Sequence, residues 1–222
     1  MKTTLPLLLL FACLGSAGFT AAADYDPLAT VKEAKVAVSD AEVEDTGRDR
    51  AIPIRIYLPE SGGKHALILF SHGLGGSREN NAYVAEHWAK RGFAVAAMQH
   101  AGSDAAVWKD APAAKRFGAL QKAANLESFM DRAADVKAVL DQLAKWNGED
   151  KHLLKGRLDM ERVGMSGHSF GAVTTQAVSG QSFPLRGRAL TDDRIDAAVA
   201  FSPSRSRNRA SQCSARSRSR GC

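Results

Sequence analysis

The segment with the clearest chemical potential is a serine between two glycines in the last third of the chain. Residues 167–171 read GHSFG and match the pattern G-x-S-x-G. The apolar run at 163–165 predicts a strand that enters this segment, and residues 170–178 predict a helix that leaves it. Such a strand-to-helix turn exposes a serine hydroxyl, and Gly167 and Gly171 leave room for the turn, so Ser169 is predicted to be a nucleophile. The alternative is a glycine-rich turn between a strand and a helix in which the serine has no catalytic role.

A second candidate motif follows a continuous apolar run at 66–70. Residues 70–76 read FSHGLGG, and the glycines let the backbone approach a substrate closely. Ester hydrolysis passes through a tetrahedral oxyanion, which needs backbone N–H donors aimed at it. The predicted donors are the amides of Phe170 and Leu74, with His72, Gly73 and His168 in supporting positions. An ordinary turn between a strand and a helix is the alternative.

The strands that position these motifs differ in pattern along the chain. Continuous apolar runs at 66–70 and 93–98 are typical of strands buried on both faces of a parallel sheet. Earlier in the chain, apolar residues alternate, which predicts partly exposed, antiparallel edge strands; the alternation is clearest at Ile52, Ile54, Ile56 and Leu58. A turn is predicted at residues 59–63, PESGG, and a further strand at 197–201.

Helices are predicted between these strands. Ser77 is the expected cap of a helix that ends near Arg91, before Gly92, with an inner face formed by Tyr83, Val84 and Trp88. Asn125 is the expected cap of a longer helix that closes at Gly148. Its apolar residues recur at helical spacing: Leu126, Phe129, Met130, Ala133, Val136, Val139, Leu140 and Leu143. Alternating strands and helices predict a doubly wound, mostly parallel α/β sheet with helices on both faces.

Size and composition agree with one such domain. With 222 residues and 45 % hydrophobic content, the chain is long enough for a single globular core, assigned to residues 24–203. The sequence contains no His/Cys/Asp cluster at metal-ligand spacing, and residues 73–76 lack the form of a phosphate-binding loop. No metal and no cofactor are therefore expected.

The first 23 residues predict a secretory signal peptide and an exported protein. Lys2 supplies a positive start, residues 5–14 form an apolar stretch too short to span a bilayer, and residues 21–23, AAA, suit a cleavage site. One alternative is a membrane anchor. Another is lipidation of Cys13, because residues 10–13, LFAC, resemble a lipobox, although Phe11 is bulky for that motif.

Residues 204–222 have a composition unlike the rest of the chain. They include six of the 30 basic residues and no acidic one, so the rest of the chain contains 24 basic and 24 acidic residues. The net charge of +6 thus belongs to this Ser/Arg-rich tail, which has no large apolar side chain and is expected to be disordered. We expect no nucleic acid partner, and RNA binding by the tail is the alternative. Our hypothesis is that a frameshift near Ser202 replaced the native continuation of the chain with this tail.

The pairing of residues 70–75 with residues 167–171 resembles the platelet-activating-factor acetylhydrolase and dienelactone-hydrolase-like branch of the α/β-hydrolases. Residues 132–143 and 197–203 resemble the same branch, and the likeness covers roughly residues 50–203. It implies an α/β-hydrolase fold without its last strands and hydrolysis of small or lipid-like carboxylic esters through an acyl-enzyme at Ser169. Dienelactone hydrolases use cysteine as nucleophile, so Ser169 favours general esterase chemistry.

The sequence departs from this branch in its acid and histidine. The family order is nucleophile, acid, histidine, whereas all 6 histidines precede Ser169: His65, His72, His87, His100, His152 and His168. His72 is expected to support its loop, His168 to point away from the serine hydroxyl, and His100 to be structural. Without a base, Ser169 is a weak nucleophile, so the chain is expected to be truncated and nearly inactive. A catalytically silent binding protein is the alternative.

Overall fold

The computed structural model describes residues 34–184 and 187–203. These residues belong to one compact unit. The predicted signal peptide with Cys13 and the Ser/Arg-rich tail at 204–222 lie outside the described residues. No helix within the described ranges is long and apolar enough to cross a membrane.

Strands and helices alternate along the described chain. The strands are β1 (Val36–Asp45), β2 (Arg50–Pro59), β3 (His65–Ser71), β4 (Ala94–Met98), β5 (Leu158–His168) and β6 (Ile195–Phe201). The helices are α1 (Ala82–Lys90), α2 (Ala106–Lys109), α3 (Ala113–Ala123), α4 (Leu126–Gly148) and α5 (Phe170–Val178).

The six strands form one sheet in the order β1-β2-β4-β3-β5-β6. β1 pairs with β2 and β2 with β4 in antiparallel fashion, whereas β3, β4, β5 and β6 run parallel to one another. The predicted mostly parallel sheet and its antiparallel edge are therefore confirmed. The motif segments follow β3 and β5, which are neighbours, so their carboxyl ends bring both motifs to one edge of the sheet.

Helices cover both faces of this sheet, as predicted. On one face, the alternating residues Ile52, Ile54 and Ile56 of β2 pack in a cluster with Val136 and Leu140 of α4. On the other face, Tyr57, Phe70 and Val95 pack with Ala85 and Ala89 of α1. Because side chains of a strand alternate between faces, β2, β3 and β4 each contribute residues to both clusters.

The start of α1 differs from the prediction. Ser77 is not the cap; its N–H donates to Asn80 Oδ1 over 2.6 Å, and the helix begins only after Asn81, which has a positive φ of 62°. This shift changes which residues face inward, so Tyr83 is 73 % exposed, while Ala85 and Ala89 are buried. Val84 and Trp88 are partly buried, and Gly92 follows the helix end with a φ of 93°.

α4 begins at the predicted cap and ends at the predicted residue. The side chain of Asn125 accepts a hydrogen bond from the Ser128 amide, and the helix ends at Gly148. Leu126 was expected in the core but is 67 % exposed, because it lies in the first turn, beyond the sheet. Arg132 and Asp135, for which no role was predicted, are instead completely buried.

Candidate active site

The turn between β5 and α5 has a conformation that few residues adopt. Ser169 connects the strand to the helix with φ 54° and ψ −112°. Non-glycine residues with positive φ are uncommon and are found where the surrounding structure holds them in place. The Ser169 amide donates to Phe201 O at 2.9 Å, and its carbonyl accepts the first bonds of α5. The strained turn therefore has the form that G-x-S-x-G predicts.

The glycines beside Ser169 are required by a close approach of two backbones. A Cβ on Gly167 would lie 2.5 Å from the carbonyl carbon of Gly171 and 2.8 Å from Ser71 O. A Cβ on Gly171 would overlap the carbonyl oxygen of Ser71 and lie 2.8 Å from His72 O. The turn at residues 167–171, which we call the elbow, thus packs directly on the end of β3, where the second motif begins.

The loop after β3 is held in place by the segment that follows β4. Gly75 has a φ of 73°, and its amide donates to Ser103 O at 2.9 Å. Trp108 Nε1–H donates to Gly75 O at 2.8 Å, and a Cβ on Gly75 would collide with the side chains of Trp108 and Leu120. Helices α2 and α3, in a region whose pattern gave no prediction, thus cover this loop.

His72 ties the loop to the end of β4. Its Nδ1–H donates to Gly73 O at 2.6 Å, and its Nε2 accepts the amide proton of His100 at 3.1 Å. An imidazole that accepts at one nitrogen must be neutral. Burial, together with the nearby His100 and Arg132, lowers the pKa of His72 to about 2. These contacts hold the loop in place, and the supporting role of His72 in catalysis stays a prediction.

Ser169 and the loop after β3 share a cavity of about 240 Å³. Its lining residues are Gly73, Leu74, Gly75, Gly76, Asn80, Asn81, His168 and Ser169. Among the described residues, none makes a hydrogen bond to the Ser169 hydroxyl, and no backbone acceptor takes the amides of Leu74 or Phe170. A larger groove of about 350 Å³ between β1 and α4 contains none of the predicted site residues.

Comparison with known proteins finds sequence similarity to platelet-activating factor acetylhydrolases. The family described as "Platelet-activating factor acetylhydrolase, isoform II" matches residues 54–116. The platelet-activating factor acetylhydrolase of Cavia porcellus is 34 % identical over 143 residues, covering 52 % of this chain and 32 % of the relative. That of Canis lupus familiaris is 30 % identical over 151 residues, covering 54 % and 33 %. Over these matched residues, the chain is similar to platelet-activating factor acetylhydrolases.

The sequence similarity extends over only part of those proteins. The chain spans about a third of the length of the curated relatives it matches. The ferulic acid esterase from Streptomyces cinnamoneus superposes with a TM-score of 0.52 at 17 % identity, covering 74 % of this chain and 58 % of the esterase. This likeness shows the α/β-hydrolase fold. The predicted resemblance to the platelet-activating-factor acetylhydrolase branch of the α/β-hydrolases is therefore confirmed.

None of the histidines that the structure describes in this chain is hydrogen-bonded to Ser169. Both ring nitrogens of His65, His72 and His100 already have partners, and His152 stacks on Trp146. His168 is exposed and lines the Ser169 cavity, so its ring belongs to the same cavity wall without a hydrogen bond to the hydroxyl. The part of the chain described here therefore provides no bonded general base.

A buried polar network beneath the loop after β3 was not predicted. Ser71 Oγ–H donates to His100 Nε2, and His100 Nδ1–H donates to Asp135 Oδ2, both at 2.9 Å. Asp135 also accepts from Arg48 Nη2 and Arg50 Nε, each at 2.8 Å. Although burial opposes its ionisation, these hydrogen bonds hold the pKa of Asp135 below its usual value. Burial lowers the pKa of His100 to about 4 despite its bond to Asp135.

A sequence signal for this network exists in α4. Arg132 and Asp135 lie one turn before Val136 and Val139, so they fall on the helix face that packs against the sheet. Charged residues are almost never completely buried unless they are paired, so charges at apolar positions of a regular pattern indicate a polar core network.

Within residues 34–184 and 187–203, no group of three metal-ligating side chains is present.

Proposed function

We propose that this protein is a serine hydrolase that cleaves carboxylic esters through an acyl-enzyme at Ser169. The observation that carries the proposal is the strained, positive-φ turn at Ser169, whose unbonded hydroxyl belongs to a cavity shared with a glycine-rich loop. Strain of this kind is kept where function requires it. In the proposed step, Oγ bonds to the ester carbonyl carbon, the alkoxide leaves, and the hydroxyl proton passes to it.

The amides of Leu74 and Phe170 are the proposed oxyanion donors. Phe170 is the first residue of α5, where helix amides have no acceptor within the helix, and Leu74 lines the cavity. Neither amide is used by a backbone acceptor in the described ranges. Free N–H groups beside a nucleophile can stabilise the negative charge that develops on the carbonyl oxygen. Gly73, Gly167 and Gly171 permit the approach of these segments.

The proposed substrate is a small or lipid-like ester with a short acyl group. The cavity of about 240 Å³ is smaller than usual ligand pockets, and glycines and two asparagines provide much of its wall. Relatives named as acetylhydrolases support a short acyl group. Because no described residue acts as a bonded base, we propose that turnover is slow, driven by the oxyanion hole and binding. A silent binding protein is the second candidate, supported by the same absence.

Replacement of Ser169 by alanine is the test of this function. The unaltered chain is expected to release p-nitrophenol from the acetate ester above the background rate and to yield an acetylated peptide that contains residue 169. Ser169→Ala is expected to abolish both signals because it removes the nucleophile. Ser179→Ala, at the end of α5, is the matched control that should retain them. Saturable ester binding with equal background release in all three proteins would favour the silent binding protein.

We further propose that the protein is exported after cleavage near Ala23. The support is the positive start, the short apolar stretch and the small residues at 21–23. Expression of the full chain should therefore yield a mature form outside the cytoplasm whose N-terminal sequence begins at Asp24. An intact Met1 terminus in the cytoplasmic fraction would contradict export, and a lipid-modified Cys13 in the membrane fraction would favour the lipoprotein alternative.

A further inference from the structure

Arg132 occupies an unusual position for an arginine. It lies in α4, its side chain is completely buried, and it is among the largest buried side chains of the chain. Its guanidinium group reaches from α4 to the end of β3 and to the start of α5. The two proposed oxyanion donors belong to these last two segments: Leu74 follows β3, and Phe170 begins α5.

All three nitrogen atoms of the guanidinium group have hydrogen-bond partners. Nη1–H donates to His72 O at 2.7 Å and to Ser71 Oγ at 3.3 Å. Nε–H donates to Ser103 Oγ at 2.8 Å, and Nη2–H donates to Ser103 O at 3.3 Å. The Arg132 Cζ atom lies 4.5 Å from the centre of the Phe170 ring, within the range of a cation–π contact.

The partners of Arg132 already touch the oxyanion loop. His72 O is the carbonyl that precedes Gly73 and Leu74 in the chain. Ser103 O accepts the amide of Gly75, the residue that follows Leu74. Arg132 therefore fixes Leu74 from both sides, once through His72 and once through Ser103. Through the aromatic contact it also fixes the orientation of Phe170.

The electrostatic cost of this position is high. No carboxylate forms an ion pair with Arg132 among residues 34–184 and 187–203, so the direct partners of its charge are hydroxyls, carbonyls and an aromatic ring. Burial lowers the pKa of Arg132 to about 9. A buried ion pair already costs several kcal/mol of desolvation per ion, and hydrophobic residues of similar volume are often as stable. Stability alone does not explain this residue.

We propose that Arg132 is a positioning residue that fixes the amides of Leu74 and Phe170 relative to each other. This inference rests on the proposed function of Ser169 and deepens it. The guanidinium group is a rigid, planar fork, so it sets both the distance and the angle between the segments that it joins. A flexible side chain in its place leaves the loop and the helix start free to shift. Shifts of about 1 Å at a reacting centre cost on the order of 100-fold in rate.

The test uses a fluorophosphonate probe on the full chain. In this reaction the Ser169 Oγ–P bond forms, the P–F bond breaks, fluoride leaves with the bonding electrons, and the hydroxyl proton passes to solvent. The P=O oxygen of the adduct takes the place of the oxyanion. Saturation kinetics separate the maximal labelling rate from the half-saturating probe concentration, and circular dichroism melting verifies that each variant is folded.

Arg132→Met is expected to lower the maximal rate by about 10- to 100-fold with an unchanged half-saturating concentration, since it disturbs the oxyanion donors and not the binding of the probe. Arg132→Lys keeps the charge without the fork and should give an intermediate rate. Arg157→Met is the matched control, because Arg157 also donates to two backbone carbonyls, Pro59 O at 2.6 Å and Ser61 O at 2.9 Å. It should label as the unaltered chain does.

The outcomes separate this inference from the proposed function. Folded Arg132→Met that labels at the unaltered rate overturns the inference alone. Absence of labelling at Ser169 in every protein, including the unaltered chain, overturns the proposed function and the inference with it. If Arg132→Met does not fold, Arg132→Lys and Ser103→Ala decide, the latter because it removes one acceptor of the guanidinium group. Unaltered rates in both of these variants overturn the inference.

Discussion

Replacing Gly171 with alanine is expected to lower the free energy of unfolding by about 3 kcal/mol or more. The new Cβ would overlap the carbonyl oxygen of Ser71 and lie 2.6 Å from its carbonyl carbon. These are backbone atoms of β3, which is paired with β4 on one side and β5 on the other. A flexible side chain could move away, whereas this strand can move only by breaking its hydrogen bonds. We therefore expect large destabilisation from a single methyl group.

Gly118→Ala is the matched control for this substitution. Gly118 lies within α3, and a Cβ there would meet no atom within 4 Å. Since alanine is the better helix former, this variant should gain about 0.5–1 kcal/mol. Urea unfolding followed by circular dichroism compares the two. Equal midpoints for Gly171→Ala and the unaltered chain would show that β3 and the elbow do not pack as closely as described.

The free energy of unfolding is expected to fall by about 4 kcal/mol between pH 7 and pH 5. The cause is the pair of buried neutral histidines under the loop that follows β3. Burial lowers the pKa of His72 to about 2 and that of His100 to about 4, and their ring centres lie 5.3 Å apart. Arg132 disfavours a positive charge on both rings, and the Asp135 carboxylate only partly offsets this at His100.

The direction follows from the proton count of the two states. In the unfolded chain a histidine takes up its proton near pH 6.5, whereas in the folded chain these two stay neutral to a lower pH. The unfolded state therefore binds more protons below this pH, and stability falls as the pH falls. Above about pH 6.5 both histidines are neutral in the folded and in the unfolded chain, so they cost no stability there. As the pH falls further, each lowers the free energy of unfolding, and the loss due to His100 ends near pH 4, where its ring takes up a proton in the folded chain as well. At still lower pH, protonation of Asp135 acts in the same direction because its pKa is also lowered.

Urea unfolding at a series of pH values measures this effect. His100→Gln removes one of the two groups, so the slope of stability against pH should fall to about half between pH 6.5 and pH 5. The variant itself is less stable at every pH because Asp135 loses a hydrogen bond, and the slope is the quantity to compare. A stability profile that is flat over this range would show that the two rings are accessible to protons in the folded state.

Elements fixed by local signals could be predicted from the sequence. The helix at 170–178 was predicted with its observed bounds, because a glycine-flanked serine marks its start and its residues have helical spacing. The alternation at Ile52, Ile54 and Ile56 gave β2 and its buried face, since a strand with one apolar side has little freedom of register. Asn125 gave the start of α4 because its side chain bonds the helix amide locally.

What could not be predicted depends on contacts between distant segments. Ser77 has the residue type of a helix cap, but Asn80 captures its amide and delays α1 until Ala82. Helices α2 and α3 are largely exposed and have no long apolar face, and their positions depend on contacts such as that of Trp108 with the Gly75 carbonyl. The roles of Arg132 and Asp135 become visible only when β3, β4 and α4 are together, because spacing along one helix does not reveal what faces it.

The contacts under the oxyanion loop also have a consequence for the order of folding. The ion pair between Arg48 and Asp135 joins residues 87 positions apart, and the bond from Arg132 to His72 spans 60 positions. Such long-range contacts are costly to close before the intervening strands and helices exist, so they form late. The turn at Ser169 depends on distant segments as well, because the Ser169 amide donates to Phe201 O and Gly171 packs against the backbone of Ser71. We therefore expect the strained serine turn and the loop after β3 to become ordered together, at the stage when the sheet and α4 assemble, so that a partly folded molecule has neither in its final form.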